Sequence, residues 1–270
     1  MLKLRKTELL NNKNKFLLQY HARENFESSN FTSSGLKWAD LIEIVDDYIK
    51  HNDELEELEE EYLKLIQDFK ETHSIRSRVK DPEHLVEKII RKVARDGVRI
   101  DKTNYFDNIT DIIGLKILHI SRFASLPLFN QIYSKFQDQL IEEVKIKIRN
   151  GDDESLYKPL ESYGAKIEKQ KRYRSIHYTL KSKKGICIEI QTRTLFEEGW
   201  SELDHDVIYK SANDDKILEL YSTILSRLVG VCDDIAELML NNCTDIRNSN
   251  KDSIEKHLEK DFLDYLLRKT

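Results

Sequence analysis

The sequence predicts an α+β fold, a mixed β-sheet with accompanying helices in the middle of the chain and helical stretches at both ends. Three observations carry this. Runs at 144–148, 174–181 and 186–192 alternate apolar and polar residues with the period of two expected of strands. Stripes at 38–69 and 214–241 recur at three- and four-residue spacing, as amphipathic helices do. The 270 residues include only 8 Gly and 3 Pro, which leaves little material for elaborate loops.

Taken in order, residues 1–35 are polar and Asn/Ser-rich and read as a loose arm with one short helix. Trp38 to Ile49 is helical by its repeat of Leu41, Ile42, Val45, Tyr48 and Ile49. Asp53, with Glu56 three residues on, predicts a capping box and a second helix striped by Leu55, Leu58, Tyr62, Leu65, Ile66 and Phe69. Its acidic run Glu56–Glu61 reads as a solvated face, with a partner surface as the alternative. Asp81-Pro82 is an N-cap followed by Pro at the first helical position. That helix buries Val86, Ile89, Ile90 and Val93 and carries Lys88, Arg91, Lys92 and Arg95 on another side.

Ile112–Ile120 is almost continuously apolar, a strand buried on both faces. A helix is expected over 123–141 and a strand over 144–148. The strands 174–181 and 186–192 form a hairpin through Ser182-Lys183-Lys184-Gly185. After Thr194 the chain turns helical to Asp206. The stripe Ile217, Tyr221, Ile224, Leu228, Val231, Cys232, Ile235 and Leu238 reads as core, with an oligomer contact or an inhibitory partner as alternatives. A last helix is expected over 251–268. The division is thus 1–73 helical, 74–212 central α/β, and 213–270 helical.

Hydrophobic residues make up 39% and charged residues 34%, the balance of a charged but foldable protein. Net charge is -5, yet 76–102 and 166–174 are basic, which fits a phosphate-binding cleft better than a general nucleic-acid surface. Cys187, Cys232 and Cys243 offer neither a disulfide framework nor a zinc pattern and read as core thiols. No apolar h-region follows Met1–Lys6, and no apolar run approaches the ~18 residues of a membrane span, so a cytoplasmic location away from membranes is expected.

The hairpin carries most of the chemistry. Period two puts Ile186, Ile188 and Ile190 on one face of a strand and Cys187, Glu189, Gln191 and Arg193 on the other. In the preceding strand Tyr173, Ser175, His177 and Thr179 share a face, so pairing gathers Tyr173, His177, Glu189, Gln191 and Arg193. An acid that can hold Mg²⁺, a guanidinium that can grip phosphate and a ring that can stack on a base suit a nucleotide. An ordinary solvated sheet face has the same pattern, and pattern alone favours it. Asp111, at the mouth of the buried strand, reads as a metal ligand or a strand-end cap, with the cap favoured. His119 reads as a satisfied buried histidine. His205, near Glu202, Asp204 and Asp206, lacks zinc spacing. Arg76, Arg78 and Lys80 precede a helix N-terminus, and with Lys88 they could hold a triphosphate. Walker A, GxGxxG, protein-kinase and GxSxG motifs do not occur.

Five stretches, in order, resemble the synthetase domain of RelA/SpoT alarmone enzymes: Ser77–Glu83, Ile109–Lys116, Tyr173–His177, Ile188–Thr194 and Trp200–Asp206. The resemblance implies a nucleotidyltransferase-like mixed sheet flanked by helices. It also implies an ATP-dependent pyrophosphokinase that moves the β,γ-pyrophosphate of ATP to the 3′-hydroxyl of GDP or GTP, making the (p)ppGpp of the stringent response. By the same resemblance Asp111 and Glu189 hold Mg²⁺, with Glu189 also suited to activating the hydroxyl. Arg78, Lys80 and Lys88 contact ATP, and Arg122, placed by its distance from Asp111, helps hold adenine. Tyr173 stacks on the acceptor base, and His177, Gln191 and Arg193 contact acceptor or phosphate. The chain departs from the family at Lys169-Gln170-Lys171-Arg172, where a Gly/Pro-containing loop is usual before the Tyr, and at His84, where Ser is common. A hydrolase domain is not seen, so a small single-function synthetase is expected. Because Lys169 and Lys171 could guide an RNA backbone, a toxin that pyrophosphorylates the 3′ end of tRNA or an adenosine nucleotide is the alternative acceptor reading. A non-catalytic nucleotide-binding module is a second alternative, and a homo-oligomer or an antitoxin are conceivable partners.

Overall fold

The computed structural model describes residues 8–209 and 216–248. Residues 1–7 and the helix expected over 251–268 lie outside them. The centre is a six-stranded sheet of β1 (Ser74–Val79), β2 (Ile113–His119), β3 (Lys145–Arg149), β4 (Lys166–Gln170), β5 (Ser175–Lys181) and β6 (Cys187–Thr194), in the order β1-β2-β6-β5-β3-β4. The β2/β6 and β3/β4 pairs are parallel; β1/β2, β5/β6 and β3/β5 are antiparallel. The hairpin closes as expected, with Gly185 at φ +84°, a left-handed conformation that glycine adopts without strain.

One sheet face is apolar. Ile113, Leu115, Ile117, Ile188, Ile190, Tyr178 and Leu180 are fully buried there, each such side chain worth roughly 1.5–3 kcal/mol on removal from water. Helices α5 (Asn52–Ile66) and α8 (Ser125–Phe136) join this core, with the Phe129 ring 5.9 Å from Tyr178 and Tyr62 5.6 Å from Phe136. Helix α6 (Pro82–Asp96) starts at Asp81-Pro82 as its sequence requires and ends at Gly97 in the left-handed region, and the single turn α7 (Tyr105–Asn108) follows before β2. Between α5 and α6 the chain is pinned from outside the central domain: Tyr48, in α4 (Trp38–Lys50), donates its hydroxyl to the Lys80 carbonyl at 2.7 Å. The Lys80 amide donates to Ile112 O at 2.9 Å, so the residue that leads into α6 is fixed on both sides.

Several expectations are corrected. Residues 8–35 are not a loose arm: a helical turn at Glu8–Asn11 buries Leu10, and of the short helices α1 (Lys13–Gln19), α2 (Arg23–Glu27) and α3 (Ser29–Ser33), α1 buries Phe16 and Leu17 and α3 buries Phe31, too briefly for a stripe to show. Helix α5 starts at Asn52 after His51, with no side-chain cap from Asp53. Arg76 and Arg78 lie in a strand, and the basic stretch from Lys166 is the strand β4. Both are edge strands, which natural sheets keep charged and short of apolar residues. The strand Ile112–Ile120 is not buried throughout, since Gly114 and Lys116 are half-buried and Ile120 is half exposed.

The largest correction concerns the long helix α10 (Lys216–Asn248), which follows α9 (Leu195–Asp204) and a π-helical turn at His205–Tyr209. Its apolar stripe is not core: Ile217, Tyr221, Ile224, Leu228 and Ile235 are exposed, as is Cys232. The face it buries is polar, with Ser222, Ser226, Asp233, Asp234 and Glu237. Ion pairs decide this orientation: Arg122 forks onto Glu237 with two 3.0 Å bonds and meets Asp234 at 2.8 Å, and Arg174 reaches Asp233 at 3.5 Å. Gly230 allows the approach, because a Cβ there would lie 2.9 Å from an Arg149 guanidinium nitrogen.

Candidate active site

Register assembles the site across four strands. Arg76 lies opposite Lys116, Lys116 opposite Gln191, and Gln191 opposite His177. The next rung runs Arg78, Gly114, Glu189, Thr179. Alternation sends these side chains to the face opposite the apolar one. Above them is a cleft of about 430 Å³, lined by Arg76, Arg78, Asp111, Lys116, Glu189 and Arg193 among others and closed on one side by Ser201, Glu202 and His205.

Asp111 stands just before β2 and is mostly buried. Lys80 Nζ meets one of its oxygens at 2.8 Å and Lys88 Nζ, from the second turn of α6, meets the other at 2.8 Å. Burial alone raises a carboxyl pKa, but the two ammonium groups outweigh it and hold Asp111 down to about 2. Burial pulls Lys80 below its ordinary value, against the pull of Asp111. The other cations of α6 do not reach the cleft in this way: Arg91 pairs with Glu87 and Lys92 donates to Asn108 O.

Glu189 is braced within the sheet. His177 Nδ1 lies 2.9 Å from one carboxylate oxygen, and Gln191 Nε2 donates to the other at 2.6 Å. Burial raises Glu189, and the His177 hydrogen bond overrides it, leaving the group at about 2. Burial lowers His177, so the pair is a neutral imidazole donating Nδ1–H to a carboxylate. Its Nε2 then accepts from the Ser175 hydroxyl at 2.6 Å. Asp111 and Glu189 thus present two ionised carboxylates, hard oxygen donors of the kind Mg²⁺ takes, to one cleft. Among the described residues no group of three or more His, Cys, Asp or Glu is placed to hold a metal alone.

Lys116, which lines the cleft, and Glu198, which anchors three of its cations, escape a reading by motif. Lys116 faces the cleft between Arg76 and Gln191; the period-two alternation of β2 was the available signal, masked by the apolar run around it. Glu198, on the first turn of α9, is 4% exposed and gathers three cations from three adjacent strands: Arg76 at 3.3 Å, Lys116 at 3.0 Å and Arg193 at 3.3 Å. No local pattern marks it, because only the docking of α9 on the sheet brings it there.

Tyr173 lies beyond Gln191 and is half-buried. Its hydroxyl accepts from Arg193, whose guanidinium also lies 4.9 Å from the ring centroid, with Lys147 Nζ at 5.7 Å. Of the other expected site residues, Arg78 lines the cleft and makes no ion pair among the described residues. Arg122 does not line it; Glu237 and Asp234 hold it against α10. Lys169 and Lys171 are exposed and pair with Glu154 at 2.7 Å and Glu219 at 3.5 Å, away from the cleft. His119 is buried, as expected, with Nδ1 2.8 Å from Ser121 O, and burial lowers it to about 4.

No helix among the described residues is long and apolar enough to cross a membrane. Comparison with known proteins agrees with the site's order in sequence. Residues 77–214 match the family described as the region found in RelA / SpoT proteins, about half of the chain. Among solved structures the chain is similar to the small alarmone synthetase 1 from Bacillus subtilis, with 20% identity and a TM-score of 0.50 over 76% of this chain and 96% of that one. It is also similar to a GTP pyrophosphokinase family protein from Streptococcus pneumoniae, with 24% identity and a TM-score of 0.48 over 76% of this chain and 94% of that one. The first likeness speaks for the mixed sheet flanked by helices; no curated protein matches. On the match of residues 77–214 and the fold that carries them, the chain belongs to the RelA/SpoT family.

Proposed function

We propose that the chain is an ATP-dependent pyrophosphokinase that transfers the β,γ-pyrophosphate of ATP to the 3′-hydroxyl of GDP or GTP, making (p)ppGpp. The observation that carries this is the polarity of the cleft. Two ionised carboxylates, Asp111 and Glu189, separate a cationic side of Arg76, Arg78, Lys80, Lys88 and Lys116 from an aromatic and imidazole side of Tyr173 and His177. Family membership supports the reaction class.

In this reading the triphosphate lies along Arg76, Arg78 and Lys116, whose charges offset its own, while Lys80 and Lys88 hold Asp111 ionised and aimed. A Mg²⁺ held by Asp111 and Glu189 would supply further charge neutralisation. The acceptor base stacks on Tyr173, which requires Arg193 or Lys147 to leave the ring. Glu189 accepts a hydrogen bond from the 3′-hydroxyl and orients it. The 3′-oxygen forms its bond to the β-phosphorus, the bond from that phosphorus to the α,β-bridging oxygen breaks, AMP leaves, and the hydroxyl proton passes to Glu189 or to water. Positioning and charge neutralisation are the main protein contributions to such transfers.

A tRNA 3′ end has weaker support as acceptor. Lys169 and Lys171, the cations that would guide its backbone, are not among the residues that line the cleft. Incubating the chain with γ-labelled ATP and Mg²⁺, offering GDP, GTP, ATP and tRNA separately, tests the proposal. Label on GDP or GTP is expected, lost by about a hundred- to a thousandfold in Asp111→Asn and Glu189→Gln, the scale of losing a charge-stabilising group. Label on tRNA or ATP alone would replace the acceptor, and no transfer with ATP still bound would point to a regulatory module.

A further inference from the structure

A core position that needs only filling is met by phenylalanine, whereas a buried tyrosine must also find a partner for its hydroxyl. Tyr48 of α4 is fully buried, and among the described residues its hydroxyl has one hydrogen-bond partner, the Lys80 carbonyl at 2.7 Å. That bond bears on the candidate active site. The Lys80 amide donates to Ile112 O at 2.9 Å, and Ile112 follows Asp111 in the chain. The backbones behind the Lys80–Asp111 ion pair are therefore tied to each other, and Tyr48 holds Lys80 from the opposite side. With the Lys80 side chain 5% exposed, its direction follows from its backbone. A second tyrosine acts on the residues that follow. Tyr20, just after α1, donates its hydroxyl to the Glu83 carboxylate at 2.6 Å and sets its ring edge-on to His84, with centroids 5.5 Å apart. Glu83 and His84 lie in the first turn of α6, whose second turn carries Lys88 to the other Asp111 oxygen. Farther along, Asn30 donates to Ala94 O at 2.9 Å. Helix α6 is thus held at its start and near its end by Tyr20, Asn30 and Tyr48, all outside the stretch 77–214 that matches the family.

We propose that Tyr48 is a positioning residue for the transfer reaction, with Tyr20 in a smaller part: the N-terminal helices fix the start of α6 so that Lys80 and Lys88 bracket Asp111. This role rests on the reading of Lys80 and Asp111 as parts of a pyrophosphokinase site. Tyr48 does not line the cleft and acts through Lys80. A hydroxyl that served the core alone would matter to stability and not to aim. One that sets the direction of a charged group matters to turnover, since a small misplacement at a reacting centre is amplified in rate.

Tyr48→Phe keeps the ring and removes the bond. Its kcat is expected to fall about tenfold with KM for ATP changed less than about twofold, the pattern of an interaction realised in the transition state. Tyr20→Phe is expected to lower kcat about threefold, because it loosens the helix one step farther from Asp111. In the Lys80→Ala background, whose residual turnover is read with labelled ATP, Tyr48→Phe is expected to change kcat by less than about twofold, since the group it aims is gone. Equal losses in the two backgrounds make Tyr48 a structural residue and overturn the proposal, as does an unchanged kcat. Amide hydrogen exchange on the full chain needs no turnover. In Tyr48→Phe the Lys80 amide is expected to exchange about tenfold faster, while the amides of the β5/β6 pair keep their wild-type rates. Uniform acceleration across the sheet, or none at Lys80, overturns the proposal. A wild-type chain that transfers no label to GDP or GTP overturns the assigned reaction instead, and the exchange rates still decide whether Tyr48 holds Lys80.

Discussion

Glu197 and Glu198 are neighbours on the first turn of α9, both buried and both surrounded by cations, yet they belong to different parts of the molecule. Successive residues of a helix point about 100° apart, so Glu198 meets cations that line the cleft and Glu197 meets the arginines beside α10. Two of the three Glu198 cations stay open at their far ends, Arg76 60% exposed and Lys116 28%, while Arg193 is as sealed as the arginines of Glu197. The Glu197 cations are sealed. Arg149 and Arg174 are 5% and 8% exposed, and they also donate to Asp152, Ser226 and the Arg172 carbonyl. The same chemistry thus makes a ligand surface in one place and a staple in the other. What separates them is whether the guanidinium or ammonium groups reach water, since an acid this deeply buried is unremarkable once paired.

The comparison is broken most strongly at Arg174. It forks onto Asp152 and reaches Asp233 and Glu197, so Arg174→Ala leaves three buried acids short of a partner. Removing one member of such a set costs about 3–5 kcal/mol, read as a lower midpoint in urea unfolding. The neighbouring segment also carries Tyr173, so whatever activity remains at low temperature should show a raised KM for the acceptor nucleotide.

Glu198→Gln is the counterpart on the cleft side. It keeps the shape and removes the charge that anchors Arg76, Lys116 and Arg193. The cations then repel one another and splay. We expect KM for ATP to rise about tenfold, or ~1.4 kcal/mol, with kcat changed by less than about threefold, the signature of lost ground-state positioning. Equal losses in kcat and kcat/KM would instead put Glu198 in the transition state.

These two clusters also mark the limit of what the sequence discloses. The site face of the hairpin was legible because β5 and β6 alternate cleanly and pair through a short turn, so Glu189, Gln191 and His177 fall together from register alone. Lys80 was legible among the cations ahead of the Asp81-Pro82 helix start, whereas Asp111 read on pattern alone as a strand-end cap and was singled out only by the family resemblance. Arg122 was not, because a basic residue at a given distance from Asp111 can turn to either side of the sheet end, and the acids of α10 decide which. The orientation of α10 was likewise hidden: an apolar stripe predicts the buried face only where apolar contact outbids ion pairing, and here five acids and three arginines hold the opposite face. Glu197 and Glu198 read simply as first-turn acids of a helix.

The smallest effect comes from the titration of the sealed cluster. Burial pushes Glu197 up to about 7 and Asp233 up to about 6, with their arginines only partly opposing it, whereas Asp152 is held low by Arg174 despite its burial. A carboxyl whose folded pKa exceeds its unfolded value binds a proton on folding, so its stabilising contribution is complete below about 4.5 and is lost as pH rises through about 7. Asp111 and Glu189, both near 2, stay ionised throughout that range and add no slope; their contribution is lost only as pH falls toward 2. Unfolding free energy should therefore fall by about 1 kcal/mol between roughly pH 6 and 8, with α10 amides exchanging faster at the alkaline end. Glu197→Gln stays neutral at both ends and should leave only the shallower slope due to Asp233. A slope unchanged by Glu197→Gln would assign the titration to Asp233 or to a group outside the cluster. Arg149 would then be paired with an ionised Glu197 throughout, making the sealed side as fully charged as the open one.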